Sequence, residues 1–557
     1  MPKTAYSNRA SFTLSLRLQR AARPFRFTHS VRAVAALCAL LGTHAVWAQT
    51  ASPMAPPAAQ ASFAIRGFNI KGDNPLSQNE TSKVLAPFLR ADANIDVLQK
   101  ATAALEAALR DAGFGLHRVV LPPQEVGDLV VLDVVKFAIG TIVIEGNGRY
   151  SAANVRASVP ELKEGGSPNF SRLAVQTAIA NENPGKQIVV SLKESDKPDT
   201  IDATVQVKES KPWNFALALS NTGAESSGRD RTTVSGGHNN LWDRDHQLTA
   251  AYTTSLERAN DVKQLGLSYR TPLYSLHSVV GLSFTQSDVL GNFGTFTSTG
   301  QGRTIGGNYT YYLNPEGGRR SFVTLAYDNK LFKAAVINGT AIGLDRRSTP
   351  ISLGYTQRNE SNTAVWAYNT DFSFNTGSGS GNTLQAYQAE DSRISTRSFK
   401  ILRAGASYSA QLGQKWLWGV RAQMQFSPHA LISGEQFGVG GVGSVRGATD
   451  RVLLGDRGLS TSLEITSPEW IPGLRMASFV DAGWLNNNDN DANGSAKLAS
   501  DKLASVGLGL RYAAQNGFLV SAEYGRIVSG SALPLTSNSS APQKGSDKLH
   551  MNLSMRF

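Results

Sequence analysis

The residues best placed to do chemistry in this sequence are an arginine and an aspartate on separate segments. Arg446 is the middle of Val445-Arg446-Gly447, inside the Gly-rich stretch Ser433–Gly458, SGEQFGVGGVGSVRGATDRVLLGDRG. A segment this long between two strand-like runs exceeds what a hairpin needs and reads as functional. Its glycines, Gly440 and Gly441 among them, let backbone pass where side chains would block it, while the arginine brings a permanent cation into that space. Such a cation needs an anion. Phe479-Val480-Asp481-Ala482-Gly483 supplies one, because strand alternation puts Asp481 on the face opposite Met476, Val480 and Trp484. Glu464, within Leu463-Glu464-Ile465, has the same parity and is a second acceptor. The expected chemistry is a structural ion pair rather than a reaction.

Other patterns carry less. Gly438-Val439-Gly440-Gly441-Val442-Gly443 fits the dinucleotide spacing but opens no helix and lies in no βαβ unit. The histidines show no metal-ligand spacing, and the Asn/Asp run 486–491 lacks the glycine and distal glutamate of a calcium loop. It reads as a solvated extracellular loop. No nucleophile, base and orienter constellation is visible, so an enzyme is the least supported class, and no metal or cofactor is expected.

The elements that must position the pair follow from composition and periodicity. The net charge of +12 contains seven leader cations (Lys3, Arg9, Arg17, Arg20, Arg23, Arg26, Arg32) with no leader acid, so the remainder is 12 minus 7, or +5. That balance describes an ordinary mixed surface and argues against nucleic-acid binding. Residues 1–48, with an apolar run Ala33–Leu41 and Val46-Trp47-Ala48, read as a signal peptide. Cys38, the only cysteine, falls in that leader, so the mature chain is expected to hold no disulfide. No later segment approaches the ~18 consecutive apolar residues of a transmembrane helix, which leaves a closed barrel as the way to span a membrane.

After an Ala/Pro/Gln-rich linker at 49–61, residues 62–137 read as βααββ, with a capping box at Ser77-Gln78-Asn79-Glu80 and a helix carrying Leu98, Ala101, Leu105 and Leu109 on one face. The order recurs in 138–209. Each unit resembles a POTRA domain, and Leu121-Pro122-Pro123-Gln124 resembles the LPxQ segment of the first such domain in two-partner secretion transporters. From 210 to 557 helical periodicity gives way to alternating runs separated by turns, and counted starts from Asn214 to Lys548 give sixteen strands. The last alternates Leu549, Met551, Leu553, Met555 and Phe557 with polar residues, ending on an aromatic carboxy terminus. The expected fold is thus two α+β POTRA domains followed by a 16-stranded antiparallel transmembrane β-barrel. A lumen that wide is not filled by wall side chains alone.

Gly434-Glu435-Gln436-Phe437, Gly440-Gly441, Ser444-Val445-Arg446-Gly447, Gly455-Asp456-Arg457-Gly458 and the Phe479–Gly483 strand resemble the barrel motifs of TpsB transporters, the ShlB/FhaC/HecB-like haemolysin secretion/activation proteins of the BamA-like superfamily. Pro212-Trp213, Asn221-Thr222-Gly223 and Gly228 fit the start of that family's barrel. The resemblance implies that a lumen loop, 428–458, folds back into the barrel and that Arg446 pairs with Asp481, beside Phe479 and Gly483. It implies a site in the Gram-negative outer membrane with the POTRA domains in the periplasm. A secreted TpsA-like exoprotein of adhesin or haemolysin type is the implied partner, and Phe557 the implied insertion signal read by the barrel assembly machinery before the chain meets outer-membrane lipid. Two features depart from the pattern: Ala448 stands where an aromatic is usual, predicting looser loop packing, and the linker is too short for a plug helix. Removing either Arg446 or Asp481 is expected to impair transport alike. An outer-membrane insertase and a solute porin are the alternative readings.

Overall fold

The computed structural model describes residues 62–557 except 126, 290, 294–295, 299–300, 338–339, 490–496 and 536–539. The leader, the linker and the end of the 486–491 run lie outside the described residues.

In the first module the capping box forms as read: Ser77 Oγ accepts from the Glu80 amide and starts the helix Gln78–Leu85. The helix Ile95–Asp111 buries Leu98, Ala101, Leu105 and Leu109, the stripe its periodicity predicts. The sheet places Leu129–Lys136 between the parallel strand Gly67–Gly72 and His117–Val120. A short strand, Arg90–Ala93, pairs with Phe63–Ile65 and was not visible in the alternation pattern. Gln124 has a local task. Its amide donates to the Val131 carbonyl and accepts from the Val131 amide, both at 2.8 Å, standing in for a missing strand partner.

The second module repeats the order with strands Ala138–Glu145, Lys186–Glu194 and Thr200–Glu209 and helices Ala152–Ser158 and Phe170–Ala180. Thr200–Glu209 is central, parallel to the first strand and antiparallel to the second.

The described residues of the third region form one closed antiparallel barrel of sixteen strands, from Trp213–Ser220 to Asp547–Arg556. One strand is interrupted at Thr349 into Arg346–Ser348 and Pro350–Glu360, both paired to Arg319–Phe332. Closure is by Ala216–Ser220 against Asn552–Arg556, and the Asn221 side chain extends that seam by bonding the Leu549 carbonyl and the Met551 amide. Alternation holds along the walls. In Leu474–Asn486, Ala477, Phe479, Asp481 and Leu485 are buried inside while Val480 and Trp484 are exposed outside. Leu265, Leu325, Leu463, Leu508 and Met551 continue that exposed outer face, the apolar surface a barrel shows to lipid. Among the described residues no helix is long and apolar enough to cross a membrane.

The second module is fastened to the periplasmic rim of this barrel by a buried polar joint. Lys186 Nζ donates at 2.6 Å to each of Asp245 Oδ2, Asn154 Oδ1 and Ser158 Oγ, which uses all three of its protons. Asp245 is held in turn by Tyr274 Oη at 2.7 Å and Asn183 Nδ2 at 3.2 Å. Burial pulls the Lys186 ammonium below its ordinary value, and the Asp245 carboxylate opposes that shift. A second brace runs from Glu182 to Arg270 and Tyr312, each at 2.6 Å.

Stranding either charge of a buried pair costs about 3–5 kcal/mol. Lys186→Met is therefore expected to open the joint and expose the connection Ser210–Pro212 to protease in detergent solution, while the barrel keeps its folded, heat-modifiable mobility on gels. Wild-type protease resistance in that variant would contradict the joint.

Candidate functional site

The connection between the strands Trp416–Phe426 and Arg457–Thr466 turns into the barrel rather than away from it. Its two arms meet as a small antiparallel pair, Phe437–Val439 with Leu453–Gly455. Val439, Val445, Ala448 and Leu453 bury against the wall residues Leu485, Leu503 and Ile527. Ala448 is 4% exposed within this cluster, so the looser packing expected there is not found; the small side chain lets the turn sit directly on the wall.

Gly440, Gly441 and Gly447 all have positive φ, at 118°, 84° and 95°. Gly447 has a second requirement. A Cβ on it would lie 2.7 Å from the Gly525 carbonyl oxygen, and one on Gly525 would lie 2.6 Å from the Gly447 amide. The wall is notched where the loop tip passes. Gly507, cross-strand from Gly525, leaves room for the Phe479 ring, and Gly483 leaves room for Val439.

Arg446 projects from this tip into a buried pocket. It is 3% exposed and Asp481 0%. Its Nε and Nη2 donate to the two Asp481 carboxylate oxygens at 2.8 Å each, the parallel fork that a guanidinium makes with a carboxylate. The Arg446 amide adds a third bond to Asp481 Oδ2 at 3.0 Å. Nη1 donates to Glu464 Oε2 at 2.8 Å and Glu523 Oε2 at 3.3 Å, and Nη2 to Ser462 Oγ at 3.1 Å. The Phe479 ring lies flat beneath, 3.4 Å from its centroid to the guanidinium carbon. His550 Nε2 accepts from the Gly447 amide at 3.0 Å.

The predicted residues Val445, Arg446, Gly447, Asp481, Phe479, Gly483 and Glu464 are thus all brought together. Sequence reasoning missed Glu523, Arg511, Ser462 and His550. Arg511 reaches both Glu464 and Glu523, Nη2 to Glu464 Oε2 at 2.9 Å and Nε to Glu523 Oε1 at 2.9 Å. Arg421 stands within electrostatic reach of the same acids. Arg446 and Arg511 thus bridge the three carboxylates directly, with Arg421 a third cation nearby, which is what allows so many charges to leave water together. Phe557 is elsewhere, exposed at the end of the closing strand, its amide bonded to the Phe215 carbonyl at 2.9 Å. Among the described residues no His, Cys, Asp and Glu grouping suits a metal.

A lipid-facing barrel that seats one of its own outer loops in the lumen, with POTRA-type modules on its periplasmic side, is an outer-membrane protein transporter. Its family is shown by residues 199–512, more than half the chain, which match the haemolysin secretion/activation protein family ShlB/FhaC/HecB; residues 63–136 match the ShlB-type POTRA domain. The chain belongs to that family and translocates a secreted TpsA-type partner across the outer membrane by two-partner secretion. It is similar to the outer membrane transporter CdiB of Escherichia coli, 20% identical over 456 residues that cover 78% of this chain and 75% of that protein. CdiB of Dickeya dadantii is 21% identical over 460 residues, 78% of each. The solved structure of Escherichia coli CdiB shares the fold at a TM-score of 0.70 and 18% identity, covering 91% of this chain and 93% of that one.

The shared acids replace the expectation of equal effects with a graded one. Arg446→Ala leaves three carboxylates with only Arg511 in direct contact and Arg421 nearby, and is expected to cost about 3–5 kcal/mol of loop seating. Asp481→Ala leaves the arginine with Glu464 and Glu523 and should cost less, with the double variant close to Arg446→Ala alone. Partner protein released to the medium, normalised to folded barrel, checks the order; additive losses contradict the shared site. Gly447→Val, which changes no charge, should lower release as Arg446→Ala does.

Proposed function

We propose that the lumen loop is the resting seal of the pore, that the POTRA modules receive the unfolded client by adding its strands to their exposed sheet edges, and that the client is a large exoprotein of adhesin or haemolysin type. The observation that carries the seal is the seating of Arg446: a loop held by a buried arginine shared among three acids occupies the lumen through which a chain would pass. Strand addition suits a handler of varied sequence, because main-chain hydrogen bonds supply the affinity. The site is one of structural charges with no catalytic grouping, and transport is driven by folding of the client outside, which withdraws the emerged chain from return by mass action. Phe557, outward beside the closing seam, is read as the terminal signal by which barrel assembly machinery places the protein among outer-membrane lipids.

Insertase and porin were the alternatives in the sequence, and the family match decides against both. Deleting this chain in its native host should remove one or two large proteins from the medium and surface while other outer-membrane barrels keep their levels. A broad fall in barrel proteins would point to an insertase instead. Deleting Gly438–Gly447 in a variant that still assembles should raise its conductance in planar bilayers, and unchanged low conductance would contradict the seal.

A further inference from the structure

The extracellular connection 376–399 is too long for a turn and is ordered by the lumen loop it covers. Its helix Leu384–Gln388 opens on Thr383, whose side chain accepts from the Ala386 amide. Tyr387, Ile394 and Phe399 from this connection and the strand start bury against Ala430, Leu431 and Ile432 of the loop's descending arm. Glu390 accepts from the Ser433 amide of that arm at 3.0 Å.

At the centre lies Arg393, 1% exposed. Its Nε and Nη2 grip the two oxygens of Asp391 at 3.0 and 2.7 Å, and its Nη1 donates to Asp456 Oδ2 at 2.8 Å and to the Asn488 carbonyl. Asp456, 0% exposed, belongs to the Gly455–Gly458 motif where the lumen loop returns to the wall. It accepts from the Leu431 amide at 3.0 Å, from Gln436 Nε2 at 2.8 Å and from the Asn488 amide at 2.9 Å. One carboxylate thus gathers both arms of the lumen loop, the end of the strand Leu474–Asn486 and the covering connection.

We propose that Arg393 and Asp456 are positioning residues that hold the lumen loop from the outer mouth, separately from the Arg446 site in the lumen. On this assignment the loop is fastened at the outer mouth as well as in the lumen, where its Glu435 also meets Lys330 and Arg403, and an emerging chain must lift connection 376–399 off the loop's arms as well as unseat Arg446. The geometry favours a latch over mere surface packing. An arginine buried this fully in a loop is costly unless its partners are fixed, and here one partner, Asp456 on the returning arm, is itself bonded to Leu431 and Gln436 of the descending arm.

The assignment rests on the loop being the seal, and the test separates the two. Purified full-length Arg393→Ala and Asp456→Asn are placed in planar bilayers beside wild type and the Gly438–Gly447 deletion, with heat-modifiable mobility reporting the folded barrel. Folded Arg393→Ala and Asp456→Asn channels are expected to open at least about fivefold more often than wild type, the lower end of coupling between linked sites. Combining Arg393→Ala with Arg446→Ala should exceed either alone. Wild-type opening frequency in folded Arg393→Ala, alongside an open deletion variant, overturns the latch but not the seal; a closed deletion variant overturns the seal itself. If Arg393→Ala does not assemble, Arg393→Lys, which keeps the charge but loses the fork, carries the same expectation, and rare openings there overturn the latch equally.

Discussion

The structure depends on one guanidinium withdrawn from water. Arg446 cannot shed its charge, so the loop that carries it is stable in the lumen only while carboxylates meet it there. That single demand accounts for much of the wall around it. Asp481 supplies the fork, Glu464 and Glu523 take the remaining nitrogen, and Arg511 is needed because two extra acids without a second cation would repel one another. Phe479 completes the pocket with a π face, which attracts a cation without adding another charge.

The approach of backbone to wall follows from the same demand. For the arginine to reach Asp481 with its own amide as well as its side chain, the tip must lie against the barrel strands with no layer of side chains between. The glycines Gly507 and Gly525, paired across neighbouring strands, remove that layer. A larger residue at either position would meet Phe479 or the loop tip, so the wall's sequence is constrained by the loop it faces as strongly as the loop's is by the wall.

Much of this was legible in the sequence because strand parity is a local property. The sixteen strands, the inward face of Asp481 and Glu464, and the unusual length of 428–458 all follow from alternation and turn spacing. Glu523 and Arg511 also have inward parity, and a search for charges on lumen-facing positions would have found them. What parity does not contain is level. Which inward charges share a layer depends on the stagger between distant strands, and Glu464 and Glu523 come to one height only through the register of the strands between them. Lys186 with Asp245 and Arg393 with Asp456 were hidden for a different reason: each joins residues of separate segments, and neither partner lies on a pattern that points to the other.

The magnitudes then constrain the order of events. Three of the buried pairs lie at different heights: Lys186 with Asp245 at the periplasmic rim, Arg446 with its acids in the lumen, and Arg393 with Asp456 at the outer mouth. A charge left buried without its partner costs about 3–5 kcal/mol, whereas a folding domain of client yields about 5–15 kcal/mol. Breaking all three at once would consume most or all of that yield before any of it had been released outside. Opening them one at a time, with each pair free to re-form behind the passing chain, keeps every step within what a folding segment supplies. The rim joint, which encloses no part of the lumen loop, need not open at all. On the proposed seal and latch, transport is a succession of local releases in the loop and its cover, above a second module that stays fixed to the barrel.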